Sequence, residues 1–185
     1  MYNNLTEQDL ARYCCEKDRF AEEELYIRYA ARVYTLCRRY MGNDEDAKDL
    51  MQESLLTALE RIRQFRYTGE GSLYAWIRKI AINKAINHIR RKRWRVVLTD
   101  FQTRDDIPEP TDQEIEAVSQ EQLLKWISEL PPLRRTVFNM YSIDGYSHKE
   151  IASYLGITEK GSAGVLAKAR KQLKEIIRKY LKSII

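Results

Sequence analysis

The sequence predicts an all-α protein made of two small helical domains joined by a flexible acidic linker. Apolar residues recur at intervals of three and four along most of the 185 residues, which is the period of amphipathic helices. Alternating polar and apolar runs of strand type are almost absent, apart from the short segment WRVVLT. A proline-containing acidic stretch interrupts the helical period between about Arg95 and Thr111, and it divides the chain into two helical parts.

The first predicted domain covers residues 1–95 and begins with three closely linked helices. Thr6 can cap a first helix that runs to about Asp18. The second helix has an apolar residue at every third or fourth position and ends before Gly42. Asn43 then caps a third helix with a continuous apolar stripe, so one face of this helix should be buried.

The third helix should carry a row of carboxylates opposite its apolar stripe. These acids recur at spacings of three, four and seven: Asp46, Asp49, Glu53 and Glu60. Gln52 and Leu56 lie among them. A row of carboxylates cannot hold nucleic-acid phosphate, and an acidic face with an exposed leucine suits docking on a basic protein surface. A solvated face without a partner is the simpler alternative.

The fourth helix follows the glycine-containing segment RYTGEG and begins at Ser72. It is apolar on two faces, which predicts packing on both, and it ends near Arg93 in four consecutive basic residues. Three aromatic residues lie in or near the glycine segment: Tyr67, Tyr74 and Trp76. Aromatic rings beside positive charge can stack on single-stranded bases and hold them. The alternative is structural, because basic residues at a helix C-terminus also favour the helix dipole.

Residues 96–111 are the predicted linker, and residues 112–185 form the second domain. Thr111 and Glu114 resemble a capping box for its first helix. A Pro-Pro pair ends that helix and can start the next, which stops at an Asp-Gly pair. The domain therefore begins with two helices before its final, basic part.

The end of the chain predicts a helix-turn-helix unit. Ser147 and Glu150 form a capping box for the first helix of this unit, which closes at Gly156. The small residue Ala152 lies where the two helices would cross. The second helix starts at about Glu159 and carries four basic residues: Lys160, Lys168, Arg170 and Lys171. This arrangement is typical of a DNA-reading unit, with an ordinary packed helical hairpin as the alternative.

Charge is distributed unevenly along the chain. Residues 1–95 carry 19 Lys or Arg against 14 Asp or Glu, which gives a net charge of +5. Residues 96–117 carry 1 against 7, a net charge of −6, and residues 118–185 carry 12 against 6, a net charge of +6. Two basic modules that flank an acidic connector suit a polyanionic partner that is contacted at two places.

Several classes of protein are excluded by composition. No apolar run approaches the ~20 residues of a membrane span, and the N-terminus lacks a secretory signal, so we expect a cytoplasmic protein without membrane insertion. Three cysteines without a C-x-x-C pair and two distant histidines offer no metal site, and we expect no cofactor. No phosphate-binding glycine loop, nucleophile elbow or metal-spaced carboxylate set is present, so we do not expect an enzyme.

Three segments resemble, in the same order, three parts of one protein family. DEDAKDLMQESLLTAL is similar to a helix that docks on core RNA polymerase. FRYTGEGSLYAWIRKIAINKAINHIRRKR resembles a promoter-melting and −10-reading segment, and LPPLRRTVFNMYSIDGYSHKEIASYLGITEKGSAGVLAKARKQL resembles a −35-reading domain. The family is the sigma-70 family of bacterial transcription initiation factors, in its small extracytoplasmic function (ECF) branch. The resemblance covers nearly the whole chain.

The resemblance implies a role for specific residues. The clamp coiled coil of the largest polymerase subunit would be met by Asp46, Asp49, Gln52 and Glu53. The −10 element, including a flipped base, would be held by Arg66, Tyr67, Thr68, Ser72, Trp76, Asn83, Asn87, Arg90 and Arg91. The −35 major groove would be contacted by Lys160, Ser162, Lys168, Arg170 and Lys171. Three departures are visible. Lys48 replaces a usual acid, Ser162 replaces a frequent apolar residue, and Ala163-Gly164-Val165 stands where many relatives carry basic residues around a serine.

The predicted function is that of an initiation factor that binds core RNA polymerase and directs it to specific promoters. Core polymerase and promoter DNA are the predicted partners, and an anti-sigma factor is a further candidate. The alternative is a stand-alone helix-turn-helix regulator that acts as a dimer on two half-sites. The promoter sequences and the activating signal are left open.

Overall fold

The computed structural model describes residues 5–91 and 119–184. Regular structure within these ranges is helical throughout, so the all-α prediction is confirmed. Eight α-helices lie in the described residues: α1 (Glu7–Cys15), α2 (Arg19–Met41), α3 (Asp44–Glu60), α4 (Ser72–Arg91), α5 (Gln120–Glu129), α6 (Pro132–Phe138), α7 (His148–Leu155) and α8 (Glu159–Ile184). A 3₁₀ turn at Ile62–Gln64 follows α3, and a π-helical segment at Asn139–Ile143 follows α6.

The helix starts follow the predicted caps in the N-terminal part. The Thr6 hydroxyl accepts the Asp9 N–H at 3.1 Å, and the Asn43 side chain accepts the Asp46 N–H at 2.8 Å. Each bond satisfies one of the orphan donors in the first turn of its helix. The predicted N-terminal starts of α1 and α3 are therefore confirmed.

The predicted end of α1 is wrong by about three residues. The helix stops at Cys15, and Lys17 adopts a left-handed conformation with φ 64°. One carboxylate oxygen of Asp18 then accepts the N–H groups of Phe20 and Ala21 at 2.9 and 3.0 Å. Asp18 therefore caps α2 rather than extending α1.

The chain divides into two compact units. The first comprises Met1–Arg38 with Asn43–Ala85, and the second comprises Arg39–Gly42 with Ile86–Ile185. The first unit buries apolar residues from each of its helices, among them Leu10, Leu25, Val33, Leu55, Leu73 and Ile77. The thiols of Cys14 and Cys37 are also buried, and burial raises the pKa of each to about 12. Both cysteines therefore serve as small apolar core residues.

The second unit has a core built from α5 and α8. Its buried members are Trp126, Ile127, Leu130, Ala169, Leu173 and Ile177. Tyr180 packs edge-on against Trp126 with ring centroids 5.1 Å apart. The Pro-Pro pair separates α5 from α6 as predicted. The predicted Asp-Gly stop follows the π-helical segment, where Gly145 has a φ of 77°. The core therefore attaches α5 to α8, which is the second helix of the helix-turn-helix unit formed by α7 and α8.

Three predicted features lie outside the described residues. They are the strand-like segment WRVVLT, the linker 96–111 and the capping box of Thr111 with Glu114. In the described ranges, no helix combines the length and apolar character that a membrane crossing requires.

Candidate functional site

The acidic face of α3 is exposed, opposite the buried stripe of the same helix. Its exposed side chains are Asp49, Gln52, Glu53, Leu56 and Glu60. Leu56 is 60% exposed, so it places an aliphatic side chain at the surface of this face. The face therefore combines carboxylates with an accessible apolar centre, and it is available to a protein partner.

Two acids of this face also have intramolecular contacts. The carboxylate of Asp46 accepts the side-chain amide of Asn43 at 3.0 Å, so Asp46 is half-buried in the helix cap. Lys84 Nζ lies 3.4 Å from the Glu53 carboxylate, whose side chain remains 65% exposed. Asp49 and Gln52, by contrast, project from the middle of the exposed face.

The loop between the 3₁₀ turn and α4 turns back on itself at two glycines. Gly69 and Gly71 have φ values of 134° and 88°, which L side chains rarely adopt, and a Cβ on either would meet no atom within 4 Å. The Ser72 N–H donates to the Gly69 carbonyl at 3.1 Å, which closes the turn onto the start of α4. The turn leaves three predicted site residues exposed: Arg66, Tyr67 and Thr68.

The start of α4 continues the surface of this loop. The Trp76 ring is half-buried and lies against Phe65 with centroids 5.7 Å apart. Along α4, the predicted residues fall on one face at spacings of three, four and seven: Ser72, Trp76, Asn83, Asn87 and Arg90. The side chain of Arg91 lies outside the described residues. The sequence interpretation missed Lys79, which is exposed on this face between Trp76 and Asn83 and shares its spacing.

The helix-turn-helix unit has the capping box that the sequence predicts. The Ser147 N–H donates to the Glu150 carboxylate at 2.8 Å, and the Glu150 N–H donates to the Ser147 hydroxyl at 3.2 Å. Gly156 closes α7 in the left-handed conformation, with φ 66°. Hydrogen bonds from Ser147 lower the pKa of Glu150, so this stabilisation is present above the ordinary carboxyl pKa and is lost as pH falls through the lowered value.

Removal of this cap has an expected cost to stability. Ser147→Ala should lower the free energy of unfolding of the second unit by about 1 kcal/mol, because the Glu150 N–H loses the hydroxyl that accepts it and the Glu150 carboxylate loses the hydroxyl that donates to it. Ser153→Ala, an exposed serine on the same helix, is the matched control and should change stability by less than about 0.5 kcal/mol. Urea unfolding followed by circular dichroism measures both, and equal effects of the two substitutions would contradict the assigned role.

The outward face of α8 carries positive charge at both ends of a small-residue stretch. Lys160 and Arg170 are exposed, and Lys168 and Lys171 are half-buried beside them. The exposed residues between Lys160 and Arg170 are small, Ala163 and Ala167 among them. The structure therefore brings together four of the five predicted −35 residues on the accessible side of α8.

The fifth of these residues is not on that side, so its predicted direct contact with DNA is corrected. Ser162 is fully buried, and its hydroxyl forms a 3.0 Å hydrogen bond with Nδ1 of His148. This bond ties the start of α7 to the first turn of α8, because a buried hydroxyl needs a partner. Ser162 thus fixes the geometry of the helix pair.

An aromatic residue next to α8 was missed by the sequence interpretation. Tyr141, in the π-helical segment, stacks on His148 with centroids 4.4 Å apart. The Arg170 guanidinium lies 5.8 Å from the centre of the Tyr141 ring. Tyr141 is 18 residues or more from any basic residue of α8, so only the folded structure shows that it supports one of them.

Among the described residues, no group of His, Cys, Asp and Glu could hold a metal ion. The described residues form an acidic face on α3, an aromatic and basic loop before α4, and a basic face on α8.

Two family models match separate parts of the chain. Residues 25–95 match the family model described as Sigma-70 region 2, and residues 120–173 match Sigma-70, region 4. The chain is 27% identical over 165 residues to the ECF RNA polymerase sigma factor SigE of Mycolicibacterium smegmatis, a match that covers 85% of this chain but 62% of that relative. It is also 27% identical over 166 residues to the ECF RNA polymerase sigma-E factor of Haemophilus influenzae, covering 84% of this chain and 86% of that relative.

Two solved structures are among the matches. CnrH in complex with the cytosolic domain of CnrY is 20% identical, with a TM-score of 0.49, and covers 93% of this chain and 97% of that chain. The RsbN–BldN complex is 22% identical, with a TM-score of 0.39, and covers 90% and 98%. The two family models together span most of the chain, in the family's own order. The chain belongs to the sigma-70 family, in its extracytoplasmic function branch, and is a promoter-directing RNA polymerase sigma factor.

Proposed function

We propose that this sigma factor uses three separate surfaces to bind core RNA polymerase and the two promoter elements. The acidic face of α3 docks on core RNA polymerase, the loop 66–72 with the outer face of α4 holds the −10 element, and α8 enters the −35 major groove. The observation that carries this proposal is that the loop 66–72 and α4 as far as Ala85 belong to one compact unit and α8 to another, each with its own core. The end of α4 that carries Asn87 and Arg90 is grouped with the second unit. A factor that recognises two promoter elements needs two such modules.

The docking role of α3 is supported by charge and exposure. Asp49, Gln52 and Glu53 lie around the exposed Leu56, so a basic coiled coil could bury an apolar centre within a polar rim. Asp46 contributes at the edge of this face, because its carboxylate also serves the cap of α3. We propose the clamp coiled coil of the largest polymerase subunit as the partner.

The −10 role is supported by the loop and the helix that follows it. Tyr67 is 38% exposed at the turn, where its ring is accessible for stacking on a base. Asn83 and Asn87 offer amide groups for base edges, and Arg90 and Lys79 offer charge for phosphates. This face suits single-stranded DNA that has left the duplex.

The −35 role belongs to the helix-turn-helix unit. Lys160, Lys168, Arg170 and Lys171 line the accessible side of α8, while Ser162 holds the helix pair from inside. Because Ala163 and Ala167 reach little beyond the backbone, we expect phosphate contacts to supply most of the affinity at this element.

The domain limits and cellular context are part of the proposal. We assign residues 1–95 to docking and −10 recognition, residues 96–111 to the linker and residues 112–185 to −35 recognition. We place the protein in the cytoplasm, as a factor that recruits a catalyst and is not itself an enzyme. Control by an anti-sigma factor is also a prediction.

Run-off transcription tests the function. Core polymerase with the purified chain should produce discrete transcripts from fragmented genomic DNA, and core polymerase alone should not. Sedimentation of the free chain with the same fragments provides the contrast, because a stand-alone regulator would bind as a homodimer. Specific DNA binding by a homodimer without new transcripts would reject the sigma-factor assignment.

A further inference from the structure

A buried carboxylate joins three helices of the first unit. Glu7, in the first turn of α1, is only 4% exposed. The Tyr29 hydroxyl on α2 donates to its Oε1 at 2.8 Å, and the Leu73 N–H at the start of α4 donates to its Oε2 at 2.9 Å. Both carboxylate oxygens are therefore used, and each bond crosses from one helix to another.

The bond to Leu73 has the geometry of a helix cap supplied from a distant part of the chain. Leu73 is the second residue of α4, so its N–H has no acceptor within that helix. A carboxylate at this position satisfies the donor and interacts favourably with the positive end of the helix dipole. Glu7 consequently fixes where α4 begins.

Helix α1 also contacts the other end of the loop that precedes α4. The 3₁₀ turn Ile62–Gln64, which leads into this loop, packs against α1, and Ile62 is buried. Across the same loop, Phe65 contacts Trp76. The loop 66–72 is therefore held at its entry by packing on α1 and at its exit by Glu7.

The partner of Glu7 on α2 extends this support. The Tyr29 ring stacks with Tyr74 at 6.1 Å, and the Arg32 guanidinium lies 3.6 Å from the centre of the Tyr74 ring. Burial and the hydrogen bond to Glu7 raise the pKa of Tyr29, so its hydroxyl keeps the proton that it donates. The first turn of α4 is thus bound at Leu73 and braced at Tyr74.

We propose that Glu7 is a positioning residue for −10 recognition, because it fixes the start of α4 and thereby the loop that presents Tyr67. The inference rests on the proposed function of that loop. Glu7 itself is buried and contacts no DNA. Its role is to set the distance between the loop and the face that carries Asn83 and Asn87.

The test compares Glu7→Ala with Glu7→Gln in holoenzyme. Glutamine can keep both contacts, because its amide oxygen can accept from Leu73 and its amide nitrogen can donate to the Tyr29 hydroxyl. We expect Glu7→Ala to lower the permanganate reactivity of −10 thymines about tenfold at equal promoter occupancy, which corresponds to about 1.4 kcal/mol. Glu7→Gln should stay within about twofold of the wild type.

A local measurement separates positioning from general loss of stability. Hydrogen exchange of residues 66–75 should quicken in Glu7→Ala and not in Glu7→Gln, while exchange in α3 stays unchanged in both. Leu10→Ala, which removes a fully buried side chain of the same helix and keeps the two hydrogen-bonding groups of Glu7, is the matched control. It should lower the melting temperature and leave −10 opening intact when assayed well below melting.

Each outcome decides the inference. Normal opening by Glu7→Ala, or an equal opening defect in Leu10→Ala, would overturn it. If Glu7→Ala does not fold, Tyr29→Phe removes one bond to Glu7 while keeping the ring, and unchanged exchange at residues 66–75 in that variant would overturn the inference as well. If the wild-type holoenzyme opens no promoter, the proposed function fails on its own, and the exchange data still decide whether Glu7 fixes the loop.

Discussion

Replacing Asp49 and Glu53 by Lys is expected to weaken binding to core RNA polymerase about a hundredfold or more. Two carboxylates that would meet basic side chains become two like charges, and close interfacial charge pairs are each worth roughly 1.5 kcal/mol or more. Helical circular dichroism and the melting temperature should hardly change, because exposed substitutions usually shift stability by less than about 0.5 kcal/mol. Co-purification with tagged core polymerase measures the loss.

A structural role for Glu53 is the competing explanation, because Lys84 lies 3.4 Å from its carboxylate. Exposed ion pairs of this kind contribute roughly 0–1 kcal/mol, and the Glu53 side chain is 65% exposed. Lys84→Ala breaks the same pair while leaving the acidic face intact. It should therefore bind core polymerase nearly as well as the wild type.

Net charge needs its own control, because the double substitution removes two negative charges and adds two positive ones, so that the net charge rises by about 4. Glu23→Lys with Glu175→Lys changes the net charge equally at exposed positions of α2 and α8, away from the face of α3. This control should bind core polymerase normally. Retention of core binding by a folded Asp49→Lys, Glu53→Lys variant would refute the docking role of α3.

Most of the helical fold could be predicted because helix limits depend on local chemistry. The caps at Thr6, Asn43 and Ser147 and the left-handed end at Gly156 lie where the sequence places them. Apolar periodicity likewise identifies the buried stripe of α3, since it depends only on spacing within that helix. The exposure of site residues such as Tyr67 could also be predicted, because a glycine turn lies next to them.

Features that depend on contacts between distant residues could not be predicted in this way. Ser162 shares the spacing of the buried Val165 and Leu166, but spacing does not show that its hydroxyl bonds to His148. Glu7 has partners 22 and 66 residues away, and an acid in a first helical turn normally suggests only a favourable helix dipole. Asp18 could either end one helix or cap the next, and the left-handed Lys17 decides between them.

Substitutions in the two DNA surfaces should cause different defects in holoenzyme. Lys168→Ala with Arg170→Ala removes two charges from α8, so promoter binding should weaken and the slope of log affinity against log salt should fall by about 1.8. Lys125→Ala with Lys179→Ala removes the same charge from exposed positions that the proposal keeps away from the −35 groove. That control should retain the wild-type slope.

Tyr67→Ala should instead leave duplex binding nearly unchanged and reduce strand opening. Stacking of one base on an aromatic ring is worth roughly 1–3 kcal/mol, so the fraction of open promoter should fall about tenfold or more. Tyr26→Ala is the matched control, because Tyr26 is 40% exposed on α2 and Tyr67 is 38% exposed in the loop. Asn83→Ala, on the adjoining face of α4, should share the opening defect.

Permanganate reactivity of −10 thymines, measured at equal promoter occupancy, separates the two kinds of defect. The α8 variant should recover normal opening once its concentration is raised to restore occupancy, because its loss lies in binding. Tyr67→Ala should not recover, since extra holoenzyme cannot replace a missing stacking surface. An equal loss of duplex binding in both variants, with strand opening unaffected, would contradict the separate roles of the two surfaces. Removing a loop that holds an unpaired base must reduce strand opening.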